Sequence, residues 1–372
     1  MSSAKNILII TQEIDPHADY VLKLLRQMGH SAVRLHPANI PTAGVLTYEL
    51  SNAALDGQFH FDGRVIRPEE MDAVWWRKPR PYRLPRALSF EEREFAKLEI
   101  NTVMKGIWSS LDCYWMSQPA AIREASYKLE QLKRAVNLGF GIPQTLITSD
   151  PERVRSFYET CEGQIVYKVM SDPMLGISAR LDHYTKWIEG DVQDPLAHTE
   201  LPQISATYTT PITEDYLNML DTVQVAPCMF QAYVDKQYEL RVIVVGDEVF
   251  PAEIHSQAHA DTRVDWRHYE IPIPYKHATL PEEISTRCVE LTKSYGLNYG
   301  AIDLIVTPEG EYVFLEINPN GQWMWVQELV PTLKIGEAIA YYLAHGTRKS
   351  VFTNPVDEGF LHPVHDSHIV YS

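Results

Sequence analysis

Asp303, Glu316 and Asn318 are the residues of this chain whose types and spacing most directly offer chemistry. They interrupt the apolar run at 300–323, GAIDLIVTPEGEYVFLEINPNGQW, which reads as a strand, a turn at Pro308-Glu309-Gly310 and a second strand. A carboxylate among apolar residues costs free energy unless its charge is compensated. Three oxygen donors on neighbouring strands can hold one or two Mg²⁺ ions and leave positions open for phosphate oxygens. A hairpin with acids at its solvent-exposed ends would carry the same pattern.

Two lysines can oppose these oxygens. Lys168 sits in IVYKV, an otherwise apolar strand, and a buried ammonium needs a partner anion such as a nucleotide phosphate. An edge-strand lysine guarding against aggregation is the other reading. Lys128 is expected inside a helix, four residues from Glu124, at the spacing of an ordinary ion pair. Glu239 and Arg241 alternate with Leu240 and Val242, so they share one strand face. A fixed arginine there can counter charge developing on a phosphoryl group in transfer, or simply pair across strands. An extended Gln231-Ala232-Tyr233-Val234 can present backbone groups to an adenine edge. The turn at 170–178, MSDPMLGIS, with Ser171 at its start, can close over phosphates, although it lacks the GxxxxGK[ST] form. Jointly these residues point to an ATP–Mg²⁺ site between two α+β domains.

The elements that must position them can be read from periodicity. Residues 5–11, 18–29 and 32–35 give the βαβ rhythm of an open sheet, with no glycine-rich dinucleotide turn. A hairpin strand is expected at 59–65 and another strand at 73–76. The basic run Arg77, Lys78, Arg80, Arg83 and Arg86 then either receives an anionic partner or covers the end of the sheet. Helices are expected at 90–104 and 121–138, followed by strand 144–148, helix 151–159 and strand 165–169. The polar stretch 179–225 holds an extended piece at 208–211 and a helix capped by Thr213 that reaches Leu220. Strands 230–234 and 240–245 begin the largest domain, and 249–254 pairs with the latter. Helices 283–295 and 333–343 complete it. The division is therefore an N-terminal α/β domain at 1–117, α+β domains at 118–228 and 229–348, and an irregular tail at 349–372.

Composition limits the function classes. With 49 acidic against 33 basic residues the formal charge is −16, which works against non-specific nucleic-acid binding. No apolar stretch is long enough to span a bilayer. The four cysteines are widely separated without a CxxC, and a reducing cytoplasm is the simplest home. Trp323 and Trp325 share one side of an extended strand and serve either core packing or a substrate lining. His362, His365 and His368 are assigned to a surface tail in preference to a metal clip. His255, His259 and Asp261 follow the Arg241 strand, with no base role assigned to them.

The succession Lys128, IVYKV, FQAYV, ELRV, AIDLI and FLEINPNGQW resembles the ATP-grasp fold, an open βαβ-type pre-grasp domain followed by two α+β domains enclosing the nucleotide. With VWWRKP at 74–79, AEIHSQ at 252–257 and DWRHYE at 265–270, it is similar to the ribosomal-peptide maturases that macrocyclise microviridins and related graspetides. The family's Asn-Thr-Asp stretch ahead of Phe-Pro is replaced here by HPANIP at 36–41. The resemblance implies that Lys128, Lys168 and Ser171 meet phosphates, that Gln231, Ala232 and Tyr233 line the adenine pocket, and that Glu239 lies beside the nucleotide. It implies Mg²⁺ on Asp303, Glu316 and Asn318, with Arg241, Lys168 and Asn318 at the reacting groups. The implied partner is a precursor peptide whose Asp or Glu side chains are joined to Thr, Ser or Lys, its leader docking near Tyr208, Thr209, Glu214 and Asp215. A homodimer is implied by the same likeness. The rival functions are a ligase adding free amino acids to a small molecule or peptide, and a non-catalytic ATP-binding peptide-recognition protein.

Overall fold

The computed structural model describes residues 4–51, 55–171, 174–175, 205–206, 209–268 and 271–346. The tail with its three histidines, Tyr208, and most of the 170–178 turn and the polar stretch lie outside the described residues. Ile7, Leu8, Ile9 and Ile10 are all fully buried, without alternation, because both faces of their strand are covered. That strand, Asn6–Ile10, lies inside a parallel sheet ordered Ser31–Leu35, Asn6–Ile10, Ala73–Trp76, Tyr114–Trp115. Ile7 and Ile9 face Val21 and Leu25 of the helix Pro16–Gln27, whereas Leu8 and Ile10 face Ile107 and Trp108 of the helix Phe90–Ser110. Asp15 caps the first helix and Ser89 with Glu92 forms a capping box on the second. The expected strand at 59–65 is two strands, Leu55–Phe61 and Arg64–Ile66, turned by Asp62 and Gly63 at positive φ.

The central unit is an antiparallel sheet ordered Thr210–Pro211, Ile165–Lys168, Cys228–Ala232, Thr145–Thr148. It has its own small core, in which Val154, Phe157, Ile165 and Phe230 meet. The strand expected at 230–234 to begin the largest domain is Cys228–Ala232, and it pairs instead with both Thr145–Thr148 and Ile165–Lys168. Alternation shows that a segment is a strand but not which sheet it joins. The helix expected at 121–138 is also two, Pro119–Glu124 and Lys128–Asn137, so Lys128 opens a helix instead of lying inside one. The helix expected to run from Thr213 to Leu220 stops at Leu217, and a 3₁₀ turn at Leu220–Val225 follows.

The third unit is an antiparallel sheet ordered Tyr275–His277, Glu248–Ile254, Tyr238–Val245, Tyr299–Val306, Tyr312–Asn318. One face buries Leu240, Val242, Ile302 and Leu304 against Cys288 and Leu291 of the helix Glu282–Ser294 and against Leu132 and Ala135 of the Lys128 helix. The other face buries Ile243, Val245, Tyr299 and Ala301 beneath the helix Ile335–His345 and the first helix of the chain. The N-terminal and C-terminal units thus share one core. Trp323 belongs to it: it precedes the short helix Met324–Leu329 and is fully buried against the edges of His17 and Tyr20. The extended conformation expected for Trp323 and Trp325 is not what forms.

Candidate active site

The second sheet face changes character along its strands. Where Ile335–His345 covers it, the residues are apolar; past that cover the same face carries Glu239, Arg241, Asp303, Glu316 and Asn318. Register explains the convergence. Arg241 stands opposite Asp303, Asp303 opposite Glu316, and Asn318 opposite Ala301, so all lie on one side of the pleat. A bulge between Asp303 and Leu304 leaves Leu315 as the additional residue of its strand, and Leu315 also lines the cleft. Outward-pointing polar residues of this hairpin therefore face a cavity of about 250 Å³ and not bulk solvent.

Across the cavity the central unit presents Lys168, Ser171, Gln231, Ala232 and Tyr233. Lys128, now at a helix start, reaches Glu316 in an ion pair, and the Glu124 partner expected from spacing is instead held by Arg134 at 3.2 Å. Lys236 holds Glu239 at 2.8 Å and donates to the Val264 carbonyl at 3.0 Å. Burial pulls the Lys168 ammonium below the ordinary lysine range; Glu316 opposes that, while Lys128 and Lys236 reinforce it. An anion entering among these lysines would relieve the penalty. Pro143, Val166, Ile305 and Leu315 supply apolar walls beside Gln231, Ala232 and Tyr233, as a flat heterocycle requires.

Cations reach the oxygen cluster at both carboxylates, Lys128 at Glu316 and Arg241 at Asp303, but the second contact is imperfect. Asn318 Nδ2 donates to Glu316 Oε1 at 3.0 Å and to Asp303 Oδ2 at 3.4 Å. Arg241 Nε lies 3.1 Å from Asp303 Oδ1, yet the pair is not aligned as a hydrogen bond, and both atoms are buried without such a partner. Burial raises Asp303 well above the usual carboxylate range, against the opposing pull of Arg241. Burial also penalises charged Glu316, but Lys128 and Lys168 outweigh it and hold that group low. A divalent cation would give Asp303 Oδ1 the partner it lacks and reverse the penalty on its charge. Among the described residues no group of three or more His, Cys, Asp or Glu could hold a metal. Asn318 faces the carboxylates through Nδ2 here; with its amide rotated to present Oδ1, the donor set would be two carboxylates and an amide carbonyl, which suits Mg²⁺ completed by phosphate oxygens.

Sequence reasoning missed several residues here. Arg241 lies 5.7 Å from the ring centroids of both Trp266 and Trp325, which limits where its guanidinium can go. Asp265 accepts from Arg267 Nε at 2.9 Å and from the Thr209 amide at 2.9 Å, placing Thr209 on the cleft wall. Glu214 and Asp215 are exposed in the short helix Glu214–Leu217. Gln131 is buried; its Nε2 donates to the carbonyls of Ala125 (2.6 Å) and Ile317 (3.0 Å), and its Oε1 accepts from Ile317 N at 3.1 Å. It pins the Lys128 helix to the strand between Glu316 and Asn318. Nothing in an amphipathic helix marks one glutamine for that duty. Gln131→Leu is expected to destabilise the fold by about 2 kcal/mol, because it leaves buried backbone groups unpaired. Thermal unfolding checks this; an unchanged Tm would show that the pairing is dispensable.

With this geometry in view, similarities to known proteins can be placed. A family model described as the MvdD pre-ATP-grasp domain matches residues 6–123. The macrocyclase MdnC from Microcystis aeruginosa MRC, solved with its precursor peptide MdnA, aligns at TM-score 0.76 and 29% identity, over 92% of this chain and 100% of MdnC. A RiPP-associated ATP-grasp ligase from Chryseobacterium gregarium, solved with ADP and a leader and core peptide, aligns at TM-score 0.80 and 27% identity, over 93% and 98% of the two chains. The chain has the ATP-grasp fold. The ATP-grasp ligase PsnB shares the fold at TM-score 0.69 and 20% identity, over 94% of this chain and 99% of PsnB. No curated protein matches the sequence of this chain. Among the described residues no helix is long and apolar enough to cross a membrane.

Proposed function

We propose that this chain is an ATP-grasp ligase that activates Asp or Glu side chains of a ribosomally made precursor peptide and closes macrocyclic ester or amide links to Thr, Ser or Lys side chains. The observation that carries the reading is the placement of Asp303, Glu316 and Asn318 opposite Lys168 and the Gln231–Tyr233 segment across one cavity. The likeness to a macrocyclase solved with its precursor peptide, and to a ligase solved with leader and core peptides, supports a peptide substrate.

In this reading Gln231, Ala232 and Tyr233 line the adenine site, Glu239 lies beside the nucleotide, and Lys128, Lys168 and Ser171 hold the phosphates. Asp303, Glu316 and Asn318 would hold Mg²⁺, which when bound neutralises phosphate charge and so admits an anionic nucleophile. A carboxylate oxygen of the peptide bonds to the γ-phosphorus of ATP as the bond to the ADP oxygen breaks. Arg241 faces the charge that develops there, its guanidinium confined by Trp266 and Trp325. The acceptor hydroxyl or amine then bonds to the acyl carbon, loses a proton, and phosphate leaves with the C–O electron pair. Both reacting groups belong to one docked chain, which makes the closure effectively unimolecular. Thr209, Glu214 and Asp215, with Tyr208, are proposed to receive the leader, and the enzyme to act as a cytoplasmic homodimer.

The test is incubation with ATP, Mg²⁺ and a candidate precursor peptide rich in Thr, Ser, Asp and Glu, read by intact mass and fragmentation. The expected result is loss of one water mass per ring with one ADP released each time. Gain of a residue mass would mean addition of free amino acids instead. Absence of peptide-dependent ADP release would remove the proposal.

A further inference from the structure

Arg77 ends a strand of the N-terminal sheet, yet its side chain is committed to the catalytic hairpin of the C-terminal unit. It is 1% exposed. Nη1 donates to the Asn320 carbonyl at 3.1 Å, and Nη2 to Gln322 Oε1 at 2.5 Å. The Asn320 side chain donates back to the Arg77 carbonyl, so the two segments clasp each other through backbone and side chain. Asp15 Oδ2 lies 3.9 Å from Arg77 Nε and accepts from Thr11 Oγ1 at 2.5 Å, which balances the buried charge. The clasped turn begins one residue after Asn318. Its Gly321 carbonyl accepts from Tyr299 OH at 2.8 Å, and a Cβ on Gly321 would meet Ala301 Cβ at 2.6 Å and Asn318 Cβ at 3.2 Å. The turn is therefore packed directly on the residue whose amide completes the oxygen cluster. It has no room to shift without moving that amide.

We propose that Arg77 is a positioning residue for the Mg²⁺ site, holding the 319–322 turn so that Asn318 keeps its place beside Asp303 and Glu316. The inference rests on the metal reading given above. It assigns the N-terminal domain a direct part in metal affinity, beyond the scaffold role of its sheet. A guanidinium is suited to this duty because it serves two acceptors in fixed directions, which an ammonium does not. Two other arginines of the basic run act elsewhere: Arg80 donates to Gln12 Oε1 at 2.6 Å and Arg83 to Asn39 Oδ1 at 3.1 Å.

The experiment measures ADP binding to the full chain by calorimetry, without Mg²⁺ and across a Mg²⁺ titration, for the parent and for Arg77→Lys, Arg77→Met, Asn320→Ala and Gln322→Ala. The apparent Kd for Mg²⁺ is expected to rise about tenfold or more in the Arg77 variants and to rise less in Gln322→Ala. Mg²⁺-free ADP binding should stay within about twofold of the parent, a split that a general loss of structure would not produce. Should the Arg77 variants fail to fold, Asn320→Ala and Gln322→Ala decide the matter by the same split. Unchanged Mg²⁺ dependence in folded variants overturns the proposal, as does equal loss with and without the metal. If ADP binding by the parent itself ignores Mg²⁺, the metal reading falls and this proposal with it.

Discussion

Glu316→Gln is expected to lower ATP turnover by about a thousandfold, the largest effect of any single substitution in the cleft. The variant keeps the shape of the side chain and one carbonyl oxygen but removes the charge that meets Lys128 and stands opposite Asp303. On the proposed reading that charge also binds Mg²⁺, and losing several kcal/mol of charge stabilisation at the phosphates corresponds to a loss of this size. A second consequence follows from electrostatics. With Glu316 neutral, Lys168 loses the foremost of the charges that oppose its depression, so its ammonium weakens further in the empty cleft. Peptide-dependent ADP release at saturating ATP, measured across a Mg²⁺ titration, is the check. The loss should persist at high Mg²⁺, because the residual site lacks a donor and not merely occupancy. A fall of less than tenfold would mean that Glu316 only braces Lys128.

Arg241→Met is expected to cost about 3 kcal/mol of transition-state stabilisation, roughly a hundredfold in kcat, with little change in the KM for ATP. Arg241 lies against the packed Trp266–Trp325 pair, 5.7 Å from each ring centroid, and 3.1 Å from Asp303 Oδ1, so its charge is fixed before substrate arrives. Preorganised charge of this kind acts on the developing charge more than on the bound ground state. Arg241→Lys separates two roles. It retains a charge but loses the planar group that lies beside the indoles, so a rate between parent and Arg241→Met indicates that orientation matters as well as charge. If both variants instead lose Mg²⁺–ADP affinity in proportion to rate, the arginine supports Asp303 as a ligand and does not act on the transition state.

The two hairpin strands were legible because alternation and turn chemistry agree. Acids and an amide at 303, 316 and 318, separated by apolar residues and a Pro-Glu-Gly turn, carry their own explanation in charge compensation. Lys168 was legible for the same reason: an ammonium in a run of buried apolar residues demands an anion. Lys128 was recognised as a candidate but placed in the wrong local structure, because the break at residues 125–127 contains neither proline nor glycine. That break is fastened by Gln131 reaching back to the Ala125 carbonyl, a bond that periodicity cannot reveal. Trp323 was ambiguous because an aromatic residue after a strand serves a core or a ligand equally well; its packing on His17 decided for the core.

What the sequence determined, then, is the chemical inventory and its alternation: hard oxygen donors, lysines among apolar neighbours, and an arginine-bearing strand, each set by side-chain type and a period of two. Tertiary structure decided which of these meet. The sheet face that carries Asp303, Glu316 and Asn318 is core at one end and cleft at the other only because the Ile335–His345 helix stops short of them. Lys128 reaches Glu316, and Arg77 reaches the turn after Asn318, across separations of 188 and 243 residues. Such pairings depend on how whole units dock, through burial of apolar surface that leaves no local mark on the residues it brings together.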